Sequence, residues 1–428
     1  MEKGQLILDL GNSETRVVLR VGEIMNKTRI EHKFYLSNYF SAVYEGESGI
    51  PVSEDYTEEN STVFTLNSDF KIGTGVVGRD IYVNGLMCSN EFSGIQDKPT
   101  AMTMKYNSYY TVLTIITAIK QSAVWMKDYF AKKGKNFSVE QLINEVEWEL
   151  TVLLPPSQEK AGGSVLAETL VGEITVKFNL PKADARIKIS KVNVMAEGMM
   201  AYTGVLLSKS RRQPRPNKLF MQKSKIMVLD IGAGTTDLIV IDKGKAIERS
   251  KHTINLGGNN ITQTLRTRVQ NDLEIRLGAS AFEEGVITGK VKQGITYHDI
   301  TDALIGAKRT IAATISKEVK DYLEASNIEA NSIEYILVVG GGSLPSENEK
   351  VLPISNYLLD SIRRFAPQVG IVDISDIITK PTSVAFENVD DSDFVSSREL
   401  NITGASTVAD LREIALYMQQ QKEKQAQA

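Results

Sequence analysis

At 428 residues the chain exceeds a single compact core and divides into two or three domains, and its 42% hydrophobic and 24% charged residues match an ordinary soluble globular protein. The formal net charge of −4 excludes a global positive field drawing the chain to nucleic acid or anionic membrane, so any such partner is bound locally. Cys88 is the only cysteine, which excludes an intramolecular disulfide framework and agrees with a cytoplasmic setting, and His32, His252 and His298 lack metal-ligand spacing.

The chain opens MEKGQLILDLGNSE, where the apolar stretch is short and already carries Asp9, unlike the core of a signal peptide. Gln5 to Leu10 and Thr15 to Val21 are apolar, β-branched runs separated by Gly11, Asn12, Ser13 and Glu14, which predicts a β-hairpin with a tight polar turn. A helix is predicted from about Thr100 to Lys133. Its apolar stretch, Tyr109 to Ile119, is broken by threonines and too short to span a bilayer, so it reads as buried and no direct membrane binding is expected. Ser138, Val139, Glu140 and Gln141 have capping-box form ahead of a helical pattern to about Glu149, and Pro155 and Pro156 close a strand-like Leu150 to Leu154.

The segment SKSRRQPRPNKLFMQKSK, Ser208 to Lys225, combines prolines with a dense basic cluster and reads as a linker or exposed loop over 208–224. Two roles stay open for it: a solvated surface loop, or a docking site for DNA or an acidic partner. A second hairpin follows, with Lys225 to Ile231 and Thr235 to Asp242 flanking Gly232, Ala233 and Gly234. Leu8-Asp9-Leu10-Gly11, three residues and Thr15 align with Leu229-Asp230-Ile231-Gly232, three residues and Thr236, a repeat at domain scale that predicts two similar lobes. Beyond it, a long helical pattern from about Asp299 to Ala325 leads into a strand, Glu334 to Val339, and then Gly340, Gly341, Gly342 and Ser343. Thr407 to about Lys424 reads as a helix running into a frayed Gln/Lys/Ala tail.

A turn rich in Gly and Ser/Thr aims several backbone N–H groups at one point, where they can cradle phosphate oxygens. Gly11, Asn12, Ser13 and Glu14 form one such turn and Gly232, Ala233, Gly234 and Thr235 the other. An aspartate beside a triphosphate is repelled unless a cation lies between them, so Asp9 and Asp230, placed just before these turns, imply Mg²⁺, held in part through water. Two such hairpins facing each other would clamp one nucleotide. A lone Asp-x-Gly at a strand end is commonplace, whereas Asp230 to Asp237 combines two carboxylates, two glycines and two hydroxyls between apolar strands.

These features resemble the actin, DnaK-type chaperone and hexokinase superfamily, and the likeness covers most of the chain as ordered landmarks. Asp9 to Thr15 resembles the first phosphate motif and Asp230 to Asp237, with Thr235 and Thr236, the second. Val192 to Tyr202 looks like the first connecting motif, in which Glu197 falls on the position whose Glu or Gln orients the attacking water. The family's usual proline after it is Gly198 here, and the other reading of Glu197 is a glutamate at a helix N-terminus. Leu256, Gly257, Gly258, Asn259 and Asn260 match the Leu-Gly-Gly that precedes a helix. Gly340 to Ser343 matches the adenosine motif, where glycines let backbone approach a flat base; a flexible loop is the alternative. Ala307 to Thr310 superficially resembles a nucleotide-contacting helix of the chaperones, but Ile305 stands where their sugar-binding glutamate would be, so these residues read as a solvated helix face. Glu399 to Gly404 resembles the second connecting motif, where the chain returns to the first lobe.

The resemblance implies an α/β, actin-like ATPase fold: two ribonuclease H-like lobes with a nucleotide cleft between them, residues 1–207 with 380–428 forming lobe I and 225–379 lobe II. It implies ATP or GTP with Mg²⁺, Glu197 and Asp230 in catalysis, and Asp9 and Asp230 toward the metal. A chaperone's peptide-binding domain would find no room after Gly404, and the layout is most similar to bacterial ParM-like plasmid-segregation actins in its long divergent first lobe, its Glu197-type connecting motif and the one long helix leading into Gly340 to Gly342. That implies cytoplasmic self-association into filaments and a plasmid-borne DNA-binding adaptor. Two alternatives share the fold: a small-molecule kinase and a non-polymerising ATP-dependent adaptor.

Overall fold

The computed structural model describes residues 3–11, 14–22, 29–44, 53–66, 71–72, 75–76, 80–91, 104–180, 182–272, 277–343, 346–378 and 396–427. Two compact units account for the chain, the first made of Met1–Leu154, Gln158–Ala196 and Val408–Ala428, the second of Pro155–Ser157 and Glu197–Thr407.

In the first unit the strands are β1 (Gly4–Leu10), β2 (Glu14–Val21), β3 (Ile30–Ser37), β4 (Phe40–Tyr44), β5 (Ser61–Leu66), the short β6 (Lys71–Ile72) and β7 (Gly75–Val76), β8 (Asp80–Gly85), β9 (Glu147–Leu154), β10 (Gly172–Asn179) and β11 (Lys182–Ala196). Its helices are α1 (Leu86–Glu91), α2 (Tyr109–Ala131), α3 (Val139–Glu145) and α4 (Glu159–Leu170). Nine strands form one sheet in the order β3-β2-β1-β9-β11-β10-β5-β8-β4. The β1–β2 hairpin is antiparallel and β1 runs parallel to β9, so the chain must cross over through helices to return. Ser138 and Gln141 form the expected capping box. The helix stops at Glu145 rather than Glu149, because Trp148, Leu150 and Val152 alternate into the core as strand residues. Helix α2 turns nearly its whole circumference inward, as its threonine-broken apolar run requires.

The second unit holds β12 (Lys225–Ile231), β13 (Thr236–Asp242), β14 (Lys245–Ala246), β15 (His252–Ile254), a ribbon of β16 (Lys290–Gln293) and β17 (Thr296–Asp299), β18 (Tyr335–Val339) and β19 (Gly370–Ile371). Its helices are α5 (Met199–Leu206), α6 (Gly258–Asp272), α7 (Ala279–Thr288), α8 (Thr301–Ala325), α9 (Ile354–Ile362) and the start of α10 (Leu400–Gln427). The sheet order is β14-β13-β12-β18-β19, with β15 also on β13. Successive residues of the central β12 face opposite sides. Met227, Leu229 and Ile231 join the core that includes α6, α8 and α9, while Ile226 and Val228 pack with Tyr202, Val205 and Leu400.

This second packing layer is why the units divide at 196/197 and 407/408, where the sequence reading placed its boundaries at 207 and 380. Helices α5 and α10 approach until a Cβ at Gly404 would fall on the Met200 carbonyl oxygen and one at Gly204 on that of Leu400. Helix α10 begins at Leu400, ahead of the expected Thr407, following a capping box of Ser396 and Glu399, and continues helically to Gln427.

The basic stretch 208–224 belongs to the same layer. A bridge joins Leu207 to Pro214, and Pro216–Gln222 forms a 3-10 helix. Arg215 is buried and donates to the carbonyls of Gly204 and Val205, both at 2.8 Å, and of Leu207, satisfying acceptors at the end of α5. Lys218 pairs with Asp376 at 2.8 Å. Two of the segment's cations are thus consumed in holding it down, while Arg211 stays exposed.

Because the α5–α10 contact admits no side chain, Gly404→Ala should destabilise the chain by about 1–3 kcal/mol through overpacking. Urea unfolding would measure this; an unchanged midpoint would mean the two helices do not meet at this depth.

Candidate functional site

The two hairpins have the same register. In the first unit Asp9 lies opposite Arg16 and Leu10 opposite Thr15; in the second Asp230 lies opposite Asp237 and Ile231 opposite Thr236. Residues directly opposite on paired strands share a face, so the same frame carries different charges in the two units. Arg16 Nη1 donates to Asp9 Oδ2 at 2.9 Å, and both groups are largely buried. At the second hairpin the opposed groups are both carboxylates, with Asp230 7% and Asp237 4% exposed.

Each carboxylate of that second pair has its own donor. Thr253 Oγ1 donates to Asp237 Oδ1 at 2.6 Å, and Thr253 shares a 2.9 Å hydroxyl contact with Ser157. Asn401 Nδ2 donates to Asp230 Oδ2. Thr253 and Asn401 thus orient two carboxylates that share a face, a pair that could take a cation between them. Among the described residues no group of three or more His, Cys, Asp or Glu could hold a metal ion, so water or a ligand's oxygens must complete any such shell.

The turn after Asp230 is pressed against α6. Gly232 N donates to Thr235 O at 2.8 Å, Gly258 N to Gly232 O at 2.9 Å and Asn259 N to Ala233 O at 2.8 Å. Thr236 Oγ1 donates to Leu256 O at 2.7 Å. Gly257 makes this approach possible: a Cβ there would lie 2.7–2.8 Å from Gly232 O, Thr235 N and Ala233 O. Its own N–H goes to Asn260 Oδ1 at 2.8 Å. The N–H groups of Gly258 and Asn259 therefore hold the turn, while that of Gly257 is taken up by Asn260.

Gly340 ends β18 with φ +90, where a Cβ would fall on Asp230 Oδ1 and the Ile231 carbonyl oxygen. Gly341–Ser343 form a 3-10 turn beyond it, with Gly342 against Ile231 and Gly258. Ser343 Oγ donates to Gly340 O at 2.7 Å and lies 2.9 Å from Ser397 Oγ, so this run is hydrogen-bonded in place. Glu197 is 6% exposed and precedes α5. Gly198 after it has φ +71, which proline's ring forbids, so the family's proline could not occupy this backbone. Gly198 N donates to Asn401 Oδ1 at 3.0 Å.

Within the second unit Asp230, Gly257, Gly258 and Gly340 to Ser343 thus meet at the turn of Gly232, Ala233, Gly234, Thr235 and Thr236, while Glu197 is linked to Asp230 only by way of Gly198 and Asn401. In the first unit Asp9, Gly11, Glu14 and Thr15 sit at the β1–β2 turn, while Asn12 and Ser13 lie outside the described residues. Thr15 is fully buried and donates to Asn38 Oδ1 at 2.8 Å, and Asn38 Nδ2 donates to Gly11 O. Arg16, Asn38, Thr253 and Asn401 were missed as site residues; only Arg16 is legible beforehand, from the hairpin register.

The solvated face expected at Ala307 to Thr310 holds for Arg309 and Thr310, which are exposed, and is corrected for Ala307 and Lys308, which are buried. Lys308 is 2% exposed, because it lies on the α8 face that buries Leu304, Ile311 and Ala312. Its ammonium reaches only the Leu352 carbonyl at 3.4 Å, and burial pulls its pKa down to about 8. Arg309 lies over the Tyr357 ring at 5.7 Å, and Thr310 accepts from Arg268 at 3.0 Å.

Residues 228–349, within the second unit, match the family model described as the C-terminal part of the archaeal actin homologue MreB-like. Over nearly the whole chain the solved actin-like protein Alp7A superposes with a TM-score of 0.65 at 15% identity, covering 99% of each chain. The chain has the actin-like fold. The archaeal actin homolog Ta0583 in complex with ADP gives 0.57 at 13% identity, over 96% of this chain and 99% of that one. A 15-stranded ParM filament from Clostridium botulinum gives 0.53 at 16% identity, over 87% and 95%. The resemblance to ParM-like actins read from the sequence is borne out in the fold. No curated protein sequence matches the chain. Among the described residues of this actin-like chain, no helix is long and apolar enough to cross a membrane.

Since Gly257 alone admits the turn against α6, Gly257→Ala should speed amide hydrogen exchange at Gly258 and Asn259 by about tenfold or more, with exchange across β1 and β2 unchanged. Unaltered exchange at both amides would show that the turn does not rest on the helix.

Proposed function

We propose that this actin-like chain is an ATPase that binds ATP with Mg²⁺ and assembles into nucleotide-dependent filaments, serving plasmid DNA segregation through a DNA-binding adaptor. The observation that carries the reading is the repeated hairpin with a buried aspartate before its turn, the second copy pressed between Gly257 and Gly340 with two carboxylates face to face. Neighbours of the same fold include an ADP complex and a ParM filament, which supports both halves of the proposal.

In this reading the turn of Gly232 to Thr235 offers backbone N–H groups to phosphate oxygens, and the β1–β2 turn is given the same task. Gly340 to Ser343 offers glycine backbone to the adenosine, with Gly257 and Gly258 supporting the turn. Asp230, with Asp237 opposite, would hold magnesium, which when bound supplies charge neutralisation to the phosphates. Asp9 Oδ2 accepts from Arg16, so a metal there would meet a carboxylate whose charge the guanidinium already offsets. Glu197 orients the attacking water and accepts its hydrogen bond, a positioning task of the kind on which phosphoryl transfer depends.

Three outcomes test this. Asp230→Ala should cut ATP turnover by about a hundredfold or more while leaving the melting curve near that of the parent chain; near-normal turnover would remove Asp230 from the site. Glu197→Ala should bind ATP with parental affinity, hydrolyse it slowly and give long-lived polymers, whereas turnover at the parental rate would remove Glu197 from water positioning. The purified chain should sediment as polymer with ATP and Mg²⁺ above a critical concentration and disassemble as ADP accumulates. A tenfold difference in critical concentration needs only about 1.4 kcal/mol of differential binding. Clear solutions with phosphorylation of an added sugar or acid would move the assignment to a kinase, and clear solutions without it to a non-polymerising adaptor.

A further inference from the structure

Asn401 was read from the sequence only as part of a connecting segment, yet its side chain is buried at 7% exposure and uses both ends of its amide in opposite senses. Oδ1 accepts from Gly198 N–H at 3.0 Å, and Nδ2 donates to Asp230 Oδ2. These partners define the amide's orientation, since a backbone N–H needs an acceptor and a carboxylate needs a donor. The residue that bonds Gly198 is therefore the residue that bonds Asp230.

Both ends of this bridge lie where the chemistry is assigned. Gly198, with φ +71, directly follows Glu197, and Asp230 is the carboxylate to which the proposed function gives magnesium. Asn401 is itself anchored, because the first turns of α10 are locked to α5 at Gly404 and Gly204, where no Cβ fits. No apolar side chain can serve either partner, and a carboxylate would set like charge against Asp230. An amide of this length is what the geometry requires.

We propose that Asn401 is a positioning residue for hydrolysis: one amide holds the Asp230 carboxylate and the backbone carrying Glu197 in fixed relation. The proposal rests on the ATPase reading above. A purely structural hydrogen bond would couple Asn401 to Asp230 in stability and in ATP binding alike, whereas a positioning role puts the coupling in the hydrolysis step. Positioning through Asp230 makes the two effects non-additive.

The test is a double-substitution cycle in the full-length chain, read by single-turnover ATP hydrolysis with KM for ATP alongside. N401D keeps the volume and the acceptor for Gly198 but turns a carboxylate toward Asp230. It should lower kcat about a hundredfold with KM within about threefold. In a D230N background the same change should cost less than about threefold, because its partner is already altered. N401S, smaller and uncharged, follows the same pattern with a weaker first effect and serves if N401D does not fold. Equal factors in both backgrounds, or no loss in the parent, would overturn the positioning role while leaving the ATPase reading intact. Absence of ATP turnover in the unsubstituted chain would overturn that reading and this proposal with it.

Discussion

The second unit is organised by the burial of two carboxylates directly opposite one another on paired strands. Asp230 and Asp237 cannot be left unaccompanied at that depth, and the surrounding chain supplies what they need. Thr253, backed by Ser157, serves one, and Asn401 serves the other. Glycines at 257 and 340 bring α6 and the end of β18 to the same point, since any side chain there would strike the turn or Asp230 itself. In the proposed function, a cation and an anionic ligand are what this arrangement receives.

The first unit shows how the same frame behaves without that demand. Its hairpin repeats the register residue for residue, but Arg16 stands where the second has Asp237, and the carboxylate is neutralised within the chain. In the proposed function the asymmetry gives the metal chiefly to Asp230, while Asp9 is an oriented, internally paired group. Thr15 and Asn38 spend their side chains bracing the turn through Gly11.

The sequence carried the fold where its signals were local. The hairpins, the capping box at Ser138 and the long helix ending at Ala325 follow from period and turn chemistry, and the repeat around Asp9 and Asp230 pointed to the actin-like frame. What escaped depends on contacts far apart in the chain. Asn401 bonds residues 171 and 203 positions away, and nothing in its neighbours announces either bond. Lys308 looked solvated because a charge usually is, although its spacing from Leu304 and Ala312 puts it on the buried face. The stretch 208–224 looked like a linker because its anchors, Asp376 and the end of α5, lie elsewhere in sequence or depend on where a helix stops. The glycines were legible as motifs, but Gly257 and Gly258 spend their N–H groups on Asn260 and Gly232 rather than leaving them for phosphate.

The central claim, that the paired carboxylates and the glycine turn after them receive a magnesium nucleotide, is tested most directly by hydrogen exchange on the unsubstituted chain. Exchange would be followed with and without a non-hydrolysable ATP analogue, in Mg²⁺ and in EDTA. The account predicts that the amides of 232–235 and 340–343 slow together only when nucleotide and Mg²⁺ are both present, while the β16–β17 ribbon at 290–299 is unaffected. Protection that is equal in EDTA, or that falls elsewhere and spares 232–235, would contradict it.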